Sequence, residues 1–199
     1  MRYGRVLLAL AFVLAGCAAG PGPSGAAPGT TAPVTAAPGT TAPGAATSPG
    51  PTPFARPDLT PRGLGPYAVG TSLDALRAKG LVANIDGTPA CPGIVTAQGA
   101  APYGSPGLVF FQGTLESLRV TDPRVRTAEG VTVGQTGAKV RDTYAAASDL
   151  NNGQGGRALI VQVGAHALLF RVDIRDVVTS IDAGLADPLQ FRFTDGEGC

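Results

Sequence analysis

The chain has 199 residues, of which 29 are glycine and 18 are proline, and only 15% are charged. Fifteen Lys and Arg face fourteen Asp and Glu, and without the two arginines of the first five residues the balance is 13 against 14. A chain of near-zero net charge with no basic cluster lacks the electrostatic signature of a nucleic-acid binder. Nucleic acid is therefore excluded as an expected partner.

The first 16 residues have the parts of an export signal. Arg2 and Arg5 supply the positive charge, and residues 6–14 form an apolar run. This run is about half of the ~20 apolar residues that a membrane-spanning helix needs, so a permanent span is not expected. Small residues then lead directly into Cys17 instead of an A-x-A-like cleavage site.

Leu14, Ala15, Gly16 and Cys17 fill four positions in an order that identifies the type of signal. The segment resembles the type II signal peptide of bacterial lipoproteins, in which these positions form the lipobox. The resemblance implies a diacylglyceryl group on the Cys17 thiol and cleavage between Gly16 and Cys17. Two or more acyl chains anchor a protein stably. We therefore expect a lipid-anchored protein on the extracytoplasmic face of the cell membrane; the alternatives are an ordinary exported protein, or an apolar helix that ends in a cysteine.

Residues 17–61 are predicted to be a disordered tether that begins at the lipidated cysteine. The segment is almost wholly Ala, Gly, Pro, Thr and Ser, and the heptapeptide APGTTAP occurs at residues 27–33 and 37–43. Such a composition cannot bury enough apolar surface to offset the entropy lost on ordering. A spacer that lifts a domain off the membrane is the favoured interpretation, and O-glycosylation of the threonines is the alternative.

Residues 62–199 are predicted to form one globular domain that carries an internal repeat. Val69-Gly70-Thr71-Ser72 and Val133-Gly134-Gln135-Thr136 each precede a helix-like segment. Aligning the two Val-Gly pairs also aligns two apolar positions, Leu76 with Val140. Thr71 and Thr136 are the predicted helix caps, and Gly80 is a helix stop.

Strand-like runs separated by turn residues follow each predicted helix. They lie at residues 108–111, 115–120, 157–163, 166–172 and 177–183, and residues 189–193 could add a last strand. Alternating apolar positions in residues 159–163 suit an antiparallel sheet with one covered face. The sequence predicts an α+β fold with about two helices packed on one face of an antiparallel sheet. The repeat leaves open a construction from two tandem helix-plus-strands units.

The repeat resembles the tandem helix-plus-sheet repeats of secreted β-lactamase inhibitor proteins. The shared features are the Val-Gly-x-[Ser/Thr] helix start, which occurs twice, and the strands that follow it. The same features are similar to small helix-on-sheet lipoproteins of the cell envelope. No inhibitory residue is carried over from this resemblance.

Cysteine usage predicts a disulfide. With Cys17 lipidated, Cys91 and Cys199 remain in an exported, oxidising setting, and one bond between them is the economical interpretation. The alternatives are two free thiols or an intermolecular bond through Cys199.

No pattern of catalytic or ligand-binding residues occurs in its required context, so no enzyme activity, cofactor or metal site is expected. The single histidine, His166, has no nucleophile-elbow serine. The carboxylate pairs Asp173 with Asp176 and Asp182 with Asp187 fall on turns and strand ends, where solvated residues are the default.

Tyr103 is the predicted partner contact, because it lies among small residues in a loop expected over residues 97–107. Tyrosine supplies a large contact area with few rotatable bonds. The sequence as a whole predicts a membrane-anchored, non-enzymatic binding or accessory module of the cell envelope with an envelope protein as partner. A lipid- or small-molecule-binding lipoprotein is the first alternative, and a cell-envelope hydrolase is the second.

Overall fold

The computed structural model describes residues 57–87 and 91–196. The signal peptide, Cys17, the tether up to residue 56 and Cys199 lie outside the described residues, and predictions about them stay predictions. No helix in the described part is long and apolar enough to cross a membrane.

The described residues form three helices and eleven strands, and the expected α+β fold with an antiparallel sheet is confirmed. The helices are α1 (Leu73–Ala78), α2 (Gly137–Thr143) and α3 (Ala186–Thr194). The strands are β1 (Leu59–Thr60), β2 (Gly63–Leu64), β3 (Tyr67–Ala68), β4 (Val82–Gly87), β5 (Ile94–Gly99), β6 (Gly107–Phe111), β7 (Thr114–Val120), β8 (Ser148–Asn151), β9 (Arg157–Val163), β10 (His166–Val172) and β11 (Val178–Leu185).

Eight of these strands form one antiparallel sheet in the order β4-β5-β6-β7-β11-β10-β9-β8. The order divides the sheet into two meanders. The first half of the domain (residues 69–120) consists of α1 followed by β4 to β7, and the second half (residues 133–185) consists of α2 followed by β8 to β11. The last strands of the two halves, β7 and β11, pair at the centre of the sheet.

The two halves begin with the same backbone geometry. Gly70 has φ 91° and Gly134 has φ 92°, in the left-handed region that favours glycine. The Gly70 N–H donates to the Leu115 carbonyl and the Gly134 N–H donates to the Val178 carbonyl, both at 2.8 Å. Each helix start is thereby attached to the first residues of the last strand of its own half.

The helix caps differ from the sequence prediction at one position. Thr136 caps α2 as predicted, but Ser72 rather than Thr71 caps α1; each cap oxygen accepts from the backbone N–H three residues on, at 3.2 Å. Thr71 precedes the cap position by one residue. Its carbonyl accepts a hydrogen bond from the Leu115 N–H of β7, as a strand residue would.

The front face of the sheet carries α1, α2 and a small sheet of β1, β2 and β3. Leu76 of α1 and Val140 of α2 are both buried in one continuous core with this face. Leu59 is also fully buried, and its backbone bonds to Arg126 and Ala128. The folded domain therefore begins before the predicted boundary at residue 62.

The back face carries α3, which packs mainly on β10 and β11 of the second half. Residues 189–193, where the sequence allowed a last strand, belong to this helix. The letters LQFRF alternate as in a strand, but the buried positions follow helical spacing, and β11 leads directly into the helix. The back core is formed by Ala158, Ile160, Ala167 and Leu169 of the sheet with Ala186, Leu189 and Phe193 of α3.

Candidate functional site

A concave surface lies on the back face of the sheet, beside α3. It consists of two adjoining cavities that share Ile94 and Arg192. The first, here called the arginine cavity, has a volume of about 330 Å³. It is lined by residues of α3 and of the strands β4, β5, β6, β7, β10 and β11. The second, the aromatic groove, has a volume of about 340 Å³ and lies along the outer side of α3.

Asp182 forms the polar centre of the arginine cavity. Its side chain is only 4% exposed, and it lies on β11 directly opposite Arg119 of β7. Arg119 donates to its two carboxylate oxygens at 2.7 Å and 3.3 Å, and Arg171 of β10 donates at 3.0 Å. Two guanidinium groups thus share one carboxylate. Because both oxygens of Asp182 accept charged hydrogen bonds, this group is placed for structure and charge balance rather than as a general base.

Arg192 connects α3 to the sheet at the boundary between the two cavities. It donates to the Ser117 hydroxyl at 3.2 Å and forms an ion pair with Glu116, both on β7. At the end of the same helix, the Phe193 ring lies 5.3 Å from the Arg171 guanidinium carbon, within range of a cation–π contact. Two arginines therefore connect α3 to the sheet: Arg192 through β7, and Arg171 through Phe193.

The aromatic groove contains two of the most exposed large apolar side chains of the described residues. Phe111, at the end of β6, is 45% exposed, and Phe191 of α3 is 54% exposed. Ile94 and Pro188 complete its apolar lining. Exposed aromatic side chains that share one concavity are typical of recognition surfaces.

Tyr103 lies outside both cavities, on the front side of the domain. The loop that contains it is shorter than predicted, because β5 continues to Gly99 in register with β6. Tyr103 ends a 3₁₀ turn, and its ring stands perpendicular to that of Tyr67 at 5.4 Å. It is half-buried against the front core. Its role as a partner contact stays a prediction.

Cys91 lines the arginine cavity and is disulfide-bonded. Its partner lies outside the described residues, so the Cys91–Cys199 pairing stays a prediction. The lipidation site Cys17 also lies outside them.

Three of the four carboxylates named as pairs in the sequence, those of Asp173, Asp176 and Asp182, accept hydrogen bonds from backbone or arginine N–H groups. Asp173 accepts from the backbone N–H groups of Val177 and Arg175, which lower the pKa of its carboxyl group. Asp176 accepts from Arg141 and Arg157. In the described part of the chain, no three His, Cys, Asp or Glu side chains cluster as metal ligands.

Two tyrosines on the front side, the buried Tyr67 and the half-buried Tyr144, have raised pKa values. Burial raises the pKa of the Tyr67 hydroxyl, which donates to the Leu81 carbonyl and accepts from the Ala100 N–H. Burial and the neighbouring Glu129 raise the pKa of the Tyr144 hydroxyl still further. Both groups stabilise loops against the core.

The sequence analysis named Cys91, Asp182 and Asp187, but it did not place them in a cavity or identify the arginines that lie beside them. Arg119, Arg171 and Asp182 lie 11 to 63 positions apart, and no local motif joins them. The available signal was an Arg and an Asp facing inward on otherwise apolar strands. This signal can be interpreted only when the pairing of β7 with β11 is known, because that pairing places Arg119 opposite Asp182.

Comparison with known proteins adds little to this geometry. No protein-family model and no curated protein sequence matches the chain significantly. Among solved structures it is similar to an extracellular protein containing an SCP domain from Bacillus anthracis, with 12% identity, a TM-score of 0.44, and coverage of 62% of this chain and 46% of that one. It is also similar to a cysteine-rich secretory protein from Staphylococcus aureus, with 14% identity, a TM-score of 0.46, and coverage of 67% and 48%.

The chain spans about half the length of these two structures. Neither is described as a β-lactamase inhibitor, so that resemblance stays a prediction. At these identities and TM-scores the likeness carries no argument about function.

Proposed function

We propose that the chain is a lipid-anchored, extracytoplasmic and non-enzymatic binding or accessory module of the cell envelope, and that its aromatic groove contacts an envelope protein. The observation that carries the proposal is the exposure of Phe111 and Phe191 in one concavity. The export signal and lipobox at Cys17 support the location.

A protein with an apolar surface suits this groove better as a partner than a highly charged ligand or a polysaccharide-like polymer does. The groove joins an apolar centre to a polar rim of Glu116, Asp187 and Arg192, which is the usual arrangement of a protein interface. Aromatic side chains in such centres contribute most of the binding free energy. The partner is accordingly expected to place apolar or aromatic side chains against Phe111 and Phe191.

The anchor is tested by intact mass of the protein recovered from membranes. We expect a chain that begins at Cys17 and carries acyl groups, and Cys17→Ser should release the domain from the membrane fraction. An unmodified thiol, or recovery of the intact precursor from the cytosol, would overturn the anchoring proposal.

The partner surface is tested by cross-linking in cells, followed by identification of the captured proteins. The double variant Phe111→Ala/Phe191→Ala should lose a partner that the parent chain captures. Ile174→Ala is the matched control, because Ile174 is 95% exposed but lies on the loop between β10 and β11. Tyr103→Ala tests the sequence-based contact separately. A partner set unchanged in the double variant would exclude the groove as the contact.

A small-molecule or lipid carrier is the second candidate, favoured by the arginine cavity. Its volume of about 330 Å³ lies at the lower end of the ~300–1,000 Å³ typical of ligand sites. Native mass spectrometry of the protein purified from cells would show a bound ligand of fixed mass if this candidate is correct.

We also propose that the two halves are tandem helix-plus-strands units of one ancestral design. The equivalent glycines, caps and backbone hydrogen bonds at residues 70–72 and 134–136 support this. Matched substitutions in the two halves, described below, test their structural equivalence.

A further inference from the structure

We infer that the partner docks through one continuous segment of its chain that carries apolar side chains and a lysine or arginine. The segment lies along the aromatic groove, crosses Phe111 into a third concavity at the end of the sheet, and places its cationic side chain against Asp187. The inference deepens the proposed function and rests on it, because it names the chemistry of the partner at the same groove.

The third concavity, here called the strand-end cavity, lies directly beside the aromatic groove. It has a volume of about 320 Å³ and shares Phe111 and Glu116 with the groove. It lies where β7 and β10 begin and β11 ends, and its other lining residues are Val69, Gly70, Thr114, Leu115, His166 and Leu185. A single segment that follows this surface can therefore occupy both concavities.

The strand register places the two concavities in one line across the sheet. Ile94 of β5 lies opposite Phe111 of β6, and Phe111 lies opposite Thr114 of β7. Residues directly opposite each other in antiparallel strands place their side chains on the same face. Ile94 lines the aromatic groove and Thr114 lines the strand-end cavity. The exposed Phe111 ring is therefore the point at which a docked segment passes from one concavity to the other.

The charge on the groove rim favours a cationic side chain in that segment. Glu116 is paired with Arg192, so these two charges balance. Asp187 is exposed and lines the groove, and within the described part of the chain it forms no ion pair. The rim therefore has a net negative charge, and complementary charge at an interface rim selects the partner and speeds its association.

The position of Asp187 on α3 sets the order of the partner's side chains. Asp187 and Phe191 are four residues apart on the helix, so they lie side by side on one face. A cation paired with Asp187 thus stands next to an apolar side chain packed against Phe191. The segment is expected to place its lysine or arginine beside that apolar residue.

Asp187 also has a structural use, which the test must separate from binding. It lies in the first turn of α3, where a carboxylate is favoured by the helix dipole. Asp74 is the matched control, because it is the second residue of α1 as Asp187 is of α3. The Asp74 side chain is 91% exposed, and it lines none of the three concavities.

The path of the segment is tested with a photoreactive amino acid, p-benzoylphenylalanine, in the full membrane-anchored chain in cells. It replaces Phe191 in one chain, Thr114 in a second and Ile174 in a third, and mass spectrometry maps the cross-linked peptides. Positions 191 and 114 should capture neighbouring peptides of one protein, with a lysine or arginine beside the peptide captured at 191. Position 174, at the opposite end of β10 from the strand-end cavity, should not capture them.

The charge is tested by reversing it in the chain that carries the photoreactive group at position 191. Asp187→Lys should lower the yield of the captured partner about tenfold, because like charges then face each other. Asp74→Lys should leave the yield unchanged. Replacing the mapped lysine or arginine of the partner with glutamate should restore capture by Asp187→Lys. Asp187→Asn, which introduces no repulsion, should lower the yield about threefold.

Three results would overturn the inference and leave the proposed function intact, provided that position 191 captures the partner. They are capture at position 191 without capture of the same protein at 114, a captured segment without a lysine or arginine, and an unchanged yield in Asp187→Lys. Equal losses in Asp74→Lys and Asp187→Lys, or capture of the same peptides at position 174, would also overturn it. Absence of capture at both 191 and 114 would overturn the proposed contact and the inference together.

Discussion

The two halves of the domain share one topology but bury their back faces differently. In β9 and β10 of the second half, four consecutive residues are buried, because the front core with α2 lies on one side of these strands and α3 lies on the other. In β6 of the first half, burial alternates along the strand. The same helix-plus-four-strand pattern thus gives a closed layer in one half and a groove in the other. The helix that follows β11 makes the difference.

The largest expected effect on the free energy of unfolding comes from replacing Phe193 of α3, and Phe191 of the same helix is the comparison. Phe193 is 3% exposed against the second half, whereas Phe191 is 54% exposed over the aromatic groove. Phe193→Ala should lower the free energy of unfolding by about 3–5 kcal/mol, because it leaves a cavity in the back core. Phe191→Ala should change it by no more than about 0.5 kcal/mol. Urea denaturation measures both, and equal losses would show that the back face does not distinguish the halves.

Removing the charge of Asp182, which pairs with Arg119 and Arg171 where the two halves meet, should give the next largest loss of stability. Asp182→Asn removes the carboxylate shared by Arg119 and Arg171 and leaves two guanidinium groups close together. We expect a loss of about 2 kcal/mol, less than for a fully buried pair because the arginines are partly solvated. The control Asp142→Asn, on the exposed side of α2, should be neutral. A neutral Asp182→Asn would mean that the central pairing of β7 with β11 does not depend on these charges.

Matched substitutions at the helix starts of the two halves should lower the free energy of unfolding equally if the two units are equivalent. Gly70→Ala and Gly134→Ala each place a side chain at positive φ where the neighbouring space is open, so the cost is conformational, about 1 kcal/mol. Ser72→Ala and Thr136→Ala should also each cost about 1 kcal/mol through loss of the cap. Thermal denaturation of the four variants checks this. A large difference between members of a pair would contradict the tandem-unit proposal.

The smallest expected effect on stability comes from the Tyr67 and Tyr144 hydroxyls, and it appears only at alkaline pH. Burial raises the pKa of the Tyr67 and Tyr144 hydroxyls above the ordinary value of 10.0. The unfolded chain ionises these groups near pH 10, so their contribution to stability is complete below that pH and is lost as the pH rises above it. Absorbance at 295 nm should show both tyrosines ionising together with loss of circular dichroism. Tyr144→Phe should weaken this alkaline transition, and ionisation of both tyrosines near pH 10 without loss of structure would contradict the raised pKa values.

Local patterns predicted much of the front of the domain. Residues 157–163 and 166–172 match β9 and β10, and Thr136 caps α2, because turn residues and a cap act over a few positions. The alignment of Leu76 with Val140 anticipated two equivalent buried helix positions. Short-range spacing was sufficient for these features.

Long-range packing explains what was missed. Residues 189–193 alternate as in a strand, yet they form α3, because β11 ends beside an uncovered apolar face that a helix can bury. That docking also places Phe191 outward and Arg192 against β7. Neither cavity could be read from the sequence, since each is a gap between elements distant in the chain.

The sequence by itself determined the α+β character, several strands and the repeated helix starts, and it predicts the location and the tether, because each of these depends on residues close together in the chain. Only the tertiary structure decided which face stays open. The pairing of β7 with β11 brought Arg119 to Asp182, and the docking of α3 on one half left the other half with a groove. Those outcomes depend on competition among distant apolar surfaces for burial, which local spacing does not encode.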